Sequence, residues 1–148
     1  MGREENVEFK EAIEKRRILS FPKGKQLVTK ELREAKDDLK EAHDRFKNKK
    51  YKYATITAYY SAFHSARALV YSRGYREKSH YFLLVALRAL FVDKGLLEQK
   101  LVNRLHNAMI LREEADYNGE FSKEGAESAL ELADEFLCTS EKITGMKI

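Results

Sequence analysis

The stretch Ala58 to Leu69, AYYSAFHSARAL, narrows the choice of fold more than any other part of the chain. It is apolar almost all round at helical length, yet it holds Tyr59, Tyr60, His64 and Arg67. A helix on the surface of a domain keeps its polar groups on one solvated stripe. Here aromatic hydroxyls, an imidazole and a guanidinium are set into an apolar surface, and each needs a hydrogen-bond partner once buried. The helix is therefore either the centre of a well-satisfied core or the wall of a site.

The rest of the chain reads as helices of matching length. Pro22 is the only proline, and seven glycines in 148 residues leave long stretches unbroken. Met1 to Ser20 reads as a polar helix, and Phe21 to Lys25, FPKGK, as a break. From Gln26 to Phe46 the apolar Leu27, Leu32, Ala35, Leu39, Ala42 and Phe46 keep mostly helical spacing. Asn48, Lys49 and Lys50 form a basic turn. The long helix runs from Tyr51 to about Ser72 and ends at Gly74, a residue suited to a left-handed cap. Ser79 can cap a helix over Tyr81–Asp93 that stops near Gly95. Another helix covers Leu96–Asp116, Asn118-Gly119 breaks it, and Ser122 can cap the last helix, which carries Ala126, Ala129, Leu130, Ala133, Phe136 and Leu137. No β pattern and no internal repeat stands out. The expected fold is all-α: an up-and-down antiparallel bundle of four to five core helices over 25–148, preceded by a helical arm and linker over 1–24.

Composition removes several classes of function. Apolar residues make up 43% and charged residues 35%, which suits a packed domain rather than a disordered chain. No run approaches the length of a membrane span, the first residues, MGREENVEFK, lack an apolar leader, and Cys138 has no intrachain partner. The expectation is a cytoplasmic protein without membrane contact. Cys138, in an amphipathic helix, reads as a packing residue rather than a nucleophile. Charge is uneven: residues 1–110 hold 24 Lys/Arg against 14 Asp/Glu, and residues 111–148 hold 4 against 10. From Arg45 to Arg88 there are ten basic residues and one acidic residue, Glu77. Such asymmetry points to an anionic partner, nucleic acid or nucleotide. The alternative is that the acidic C-terminal helix packs beside the basic part and neutralises it.

Motifs for chemistry are sparse. There is no glycine-rich phosphate loop, and His43, His64, His80 and His106 show no zinc-ligand spacing, so neither a cofactor nor a metal is expected. In Gly74 to Leu84, GYREKSHYFLL, Arg76, Lys78, Ser79 and His80 gather where a helix begins, a place that accepts anions or is simply a solvated cap. In Leu111 to Ser122, LREEADYNGEFS, Arg112 and Asp116 lie four apart on one helix face, beside Tyr117. They can pair to hold the helix end, or Arg112 can bind phosphate with both edges of its fork.

Together, AYYSAFHSARAL, GYREKSH and LREEADY resemble, in order and spacing, the small stand-alone HEPN proteins of prokaryotes. The resemblance covers about Leu27 to Ile143. It implies an all-α bundle that forms homodimers, is often paired with a minimal nucleotidyltransferase in a toxin–antitoxin-like system, and cleaves RNA or binds nucleotides or nucleic acid. The ribonuclease members carry an Arg, four to six residues, and then a His late in the bundle. Here Arg112 matches the Arg, but Tyr117, Asn118 and Gly119 stand in the His window, and no His follows His106. Arg73 and His80 keep the spacing at an earlier helix junction.

Three readings follow. The first is a binding module in which Arg67, Arg76, Lys78, Ser79, His80 and Arg112 contact phosphate, while Tyr59, Tyr60 and Tyr117 stack on a base or orient those groups, with His64 beside them. The second is a metal-independent RNase toxin using Arg112 with Asp116 or His80. The third is an interaction protein whose polar residues satisfy one another. There they do so inside the bundle and at the dimer interface, and His64, Tyr59 and Arg112 buried and mutually bonded with no cleft would decide for it.

Overall fold

The computed structural model describes residues 6–119 and 121–148. Helix α1, Val7–Glu14, leads through a turn to a three-residue strand β1, Ile18–Ser20. Two long helices follow, α2 at Gly24–Lys47 and α3 at Tyr51–Ser72. Strand β2, Tyr75–Glu77, precedes α4, His80–Leu87, which widens into a π-helical turn at Arg88–Val92. Helices α5, Gln99–Asn118, and α6, Lys123–Thr144, complete the chain. The fold is all-α, a helical bundle with one small antiparallel β ribbon.

Helix α3 is the centre. Its buried residues lie all round the axis, and it packs chiefly against α2 on one side and α6 on the other. Directions follow from the contacts. Ser61 Oγ donates to the Ala35 carbonyl at 2.6 Å, and His64 Nδ1 lies 2.6 Å from Glu31 Oε2, so α2 and α3 are antiparallel. Ser140 Oγ donates to the Ser65 carbonyl at 2.9 Å, while Ala129 and Leu132 share a groove with Thr55 and Tyr59. Helices α3 and α6 therefore run the same way, and α2 opposes both. Small residues permit this closeness: Ala54, Ala58, Ala62, Ala66 and Ala68 have no exposed surface. Leu69, Leu83, Leu84, Leu87, Phe91 and Phe136 fill the core, each contributing about 1.5–3 kcal/mol by burial.

Three expectations change. A single helix over Met1–Ser20 is not formed. After α1 the chain turns at Arg16, with φ at 58°, and becomes β1. Residues 1–5 lie outside the described residues. The ribbon that sequence periodicity missed pairs Ile18 with Glu77, Leu19 with Arg76 and Ser20 with Tyr75. Three residues are too few for a period-two pattern to register. The N-terminal segment is thereby fastened to the bundle, helped by Phe9 edge-on to Tyr75 at 5.4 Å and by Tyr81 donating to Glu8. The helix expected to run unbroken from Tyr81 to Asp93 instead changes to the wider turn after Leu87, and Arg73 covers the Phe91 ring there at 4.7 Å.

The caps match their residues. Ser79 Oγ accepts from Phe82 N, Ser122 Oγ accepts from Gly125 N at 2.9 Å, and Gly74 ends α3 with φ at 78°. Gly24 serves a different purpose. A Cβ there would sit 2.9 Å from the Tyr71 carbonyl oxygen and 3.1 Å from Tyr71 Cα, which are backbone atoms. Helix propensity alone favours Gly24→Ala by about 1 kcal/mol. The backbone clash dominates, so the substitution is expected to destabilise the protein by about 1–3 kcal/mol, seen as a lower urea midpoint.

Candidate functional site

The polar residues of α3 divide into two clusters. In the first, Tyr59 is 1% exposed, and its hydroxyl is 2.8 Å from His80 Nδ1 on α4. Tyr60 meets Tyr59 edge-on at 5.5 Å. Arg112 of α5 lies over both rings, its guanidinium carbon 5.7 Å from the Tyr59 centroid and 5.3 Å from that of Tyr60. A cation over two electron-rich faces is held at little cost in hydration. One Arg112 nitrogen, Nη2, reaches Asp116 Oδ2 at 3.2 Å, whereas its Nε is buried with no hydrogen-bond partner.

Protonation in this cluster has a direction. Burial raises the Tyr59 phenol above its ordinary value, outweighing the opposing charge of Arg112. Burial lowers His80 below the ordinary histidine value, and Arg112 lowers it further, against the pull of Glu77. Tyr59 thus keeps its proton and His80 is neutral at pH 7. The Tyr59 hydroxyl and His80 Nδ1 share this hydrogen bond, with the donor set by the imidazole tautomer. Arg112 Nε is a donor in either tautomer.

The second cluster is internal. Arg67 Nε and Nη2 both donate to Glu77 Oε2, at 3.0 and 2.9 Å, and the guanidinium lies 4.4 Å from the Phe63 ring centroid. His64 pairs with Glu31, with Glu34 and Asp38 near 4 Å, at 3.9 and 3.8 Å. Phe63 joins the clusters, its ring 4.5 Å from that of His80.

The structure brings Tyr59, Tyr60, His80, Arg112 and Asp116 together. It sets His64 and Arg67 on carboxylates of α2 and β2. Ser79 is occupied as the α4 cap, and Arg76 rests over the Phe21 ring at 5.5 Å. Lys78 is exposed, and Tyr117 stands 92% exposed at the end of α5. His64, Tyr59 and Arg112 bonded to one another without a cleft would have decided for the interaction-only reading. His64 instead belongs to the other cluster, and a groove of about 250 Å³ adjoins Tyr59, lined also by Thr55, Ala108, Leu111 and Leu132. Sequence reading missed Phe63 and this groove. The only available signal was the helical spacing of Phe63 four residues after Tyr59. Among the described residues no group of three His, Cys, Asp or Glu could hold a metal ion, and no helix is long and apolar enough to cross a membrane.

Fold and cluster define a small helical-bundle protein with an arginine held by tyrosines beside a neutral histidine. The chain belongs to the HEPN domain family, whose model matches residues 28–143. It is similar to two proteins of Methanocaldococcus jannaschii. One is named "Putative toxin MJ0605", 32% identical over 125 residues, covering 76% of this chain and 91% of that protein. The other is named "Putative toxin MJ0142", 27% identical over 120 residues, covering 80% and 82%.

The lowered His80 value gives a pH signature. The unfolded chain takes up a proton near pH 6.5, while the folded chain does so only at lower pH. Between those values the unfolded state binds more protons, so His80 lowers stability as pH falls below about 6.5. Denaturant midpoints measured from pH 8 to pH 5 should fall less steeply for His80→Asn than for the parent. Identical slopes would refute the assignment.

Proposed function

We propose that the protein is a toxin-type HEPN protein that binds RNA through phosphate at the Tyr59–Tyr60–His80–Arg112 cluster. The observation that carries this reading is Arg112: a cation stacked on two rings, paired through one nitrogen to Asp116, with Nε unpaired. An unpaired buried donor costs about 1–3 kcal/mol, and a phosphate oxygen that reached it after a shift of the side chains covering it would remove that cost. Neutral His80 contributes a polar ring nitrogen beside it, and Tyr60, only partly buried, offers a ring on which a base can stack. The names of the relatives support the toxin class. A homodimer and a nucleotidyltransferase partner belong to the same proposal and rest on the family resemblance.

The absence of any His after His106 in the sequence favours binding over cleavage. A ribonuclease needs a group able to take the attacking 2′-hydroxyl proton. Here His80 Nδ1 is engaged by Tyr59. Asp116 is the remaining candidate base, and its charge is used on Arg112.

Titration with short RNA and with ATP at low salt, where phosphate affinity is greatest, tests the proposal. Arg112→Ala is expected to weaken RNA binding by about ten-fold or more, as loss of a charge-assisted hydrogen bond implies. Absence of binding by the parent protein at low salt would overturn it. Incubation of parent and Arg112→Ala protein with RNA separates cleavage from binding. Cleavage by the parent that disappears in the variant would favour the RNase.

A further inference from the structure

The α2–α3 turn lies at one end of the bundle, apart from the Arg112 cluster. Lys47, Lys49, Lys50 and Lys52 are all exposed there, and no salt bridge engages any of them among the described residues. The acidic α6 could have neutralised them. Its cross-helix polar contacts go instead to His43, which Asp134 meets at 3.2 Å, and to Arg104, which pairs with Glu135 at 2.6 Å. The charge asymmetry of the sequence therefore survives folding at this tip.

An aromatic ring stands among these lysines. Tyr53 is 51% exposed, with the Arg45 guanidinium 5.6 Å and the Lys52 ammonium 5.8 Å from its ring centroid. Arg45 is itself steadied by Glu41 at 2.8 Å. The turn is rigid in its backbone: Asn48 N donates to the Asp44 carbonyl, Lys49 N to that of Phe46 and Lys50 N to that of Arg45, at 3.1, 2.9 and 2.9 Å. Beneath it, the Phe46 and Tyr51 rings pack 5.5 Å apart. Lys49 holds a left-handed conformation, with φ at 62°, that turns the chain between the helices.

We infer that this tip is a second RNA-binding surface, specific for single strands, in which Tyr53 stacks on a base while Lys47, Lys49, Lys50 and Lys52 hold the flanking phosphates. An exposed ring flanked by cations is the pattern by which proteins grip unpaired bases, because every base has a face and a duplex hides it. An acidic protein or an anionic membrane would use the lysines but would leave the ring without a role. Tyr53 and Tyr60 are seven residues apart on α3, hence on one face and about 10 Å apart along the axis. A single strand seated on the tip can thus continue to the Arg112 cluster. The inference rests on the RNA-binding reading for its ligand class but not on Arg112.

The experiment is fluorescence anisotropy with a labelled single-stranded RNA and its duplex, over a series of salt concentrations. Tyr53→Ala is expected to weaken single-strand binding by about five-fold to a hundred-fold, with duplex binding and the salt slope unchanged. The quadruple variant with Lys47, Lys49, Lys50 and Lys52 changed to Gln should flatten the logarithmic salt slope by about 0.7 for each phosphate no longer neutralised. Circular dichroism checks that the variants fold. Arg112→Ala is run in parallel. If it binds like the parent while the tip variants lose affinity, the Arg112 site fails and the tip stands. If the tip variants match the parent in affinity and slope, the tip is overturned. Equal loss on single strand and duplex in Tyr53→Ala would also overturn it. So would binding to phosphatidylserine vesicles that depends on the lysines, with no such dependence for RNA.

Discussion

The contact between Arg67 and Glu77 is the joint on which the site depends. Glu77 is the one acidic residue between Arg45 and Arg88, and it is almost wholly buried. Only a cation reaching it with two donors makes that burial tolerable, and Arg67 supplies both. The pairing fixes the end of β2, three residues before His80. It therefore sets where α4 begins and brings His80 to the Tyr59 hydroxyl. Through β1 the same joint fastens the N-terminal segment, since Ile18 is the register partner of Glu77. Arm, ribbon and site are linked through one buried ion pair. The second Glu77 oxygen is buried without a partner, so the joint is held at a cost rather than as an optimum.

The helices are legible in the sequence because each has a local cause. Alternation of apolar residues at three and four positions marks α2 and α6, and Gly74, Ser79 and Ser122 mark ends that the structure also shows. The polar arm departs from the expected helix where no local cause exists. Ile18–Ser20 becomes a strand because β2 lies beside it, a partner more than fifty residues away in sequence. The widening of α4 after Leu87 also lacks a local marker such as proline or glycine.

The site is legible in parts. Tyr59, Tyr60, His80 and Arg112 stand out as polar groups in apolar surroundings, but nothing in their spacing says which meet. Helix α3 offers polar side chains on more than one face, and the faces meet different neighbours. Tyr59 and Tyr60 reach α4 and α5, whereas His64 and Arg67 reach α2 and β2. Spacing along one helix cannot tell apart an arginine that finds a buried glutamate from one that lies over tyrosine rings. The sequence motif also directs attention to the window after Arg112, where no histidine follows. The imidazole near Arg112 comes from α4, more than thirty residues earlier.

That two tyrosines underlie Arg112 explains why the cation there is arginine. A guanidinium stays charged and is weakly hydrated, so it can sit 5.7 and 5.3 Å from the Tyr59 and Tyr60 ring centroids while its N–H groups keep fixed directions. An ammonium is a compact, strongly hydrated charge, and covering it with rings would strip water that its geometry could not replace. Asp116 occupies one nitrogen of the fork from the same helix, at 3.2 Å. What is left is a donor with a set direction, beside an imidazole kept neutral by burial and by the same charge. Arginine therefore acts twice: it offers a hydrogen bond to an incoming anion, and it helps hold its neighbour in the uncharged form until an anion arrives to offset it.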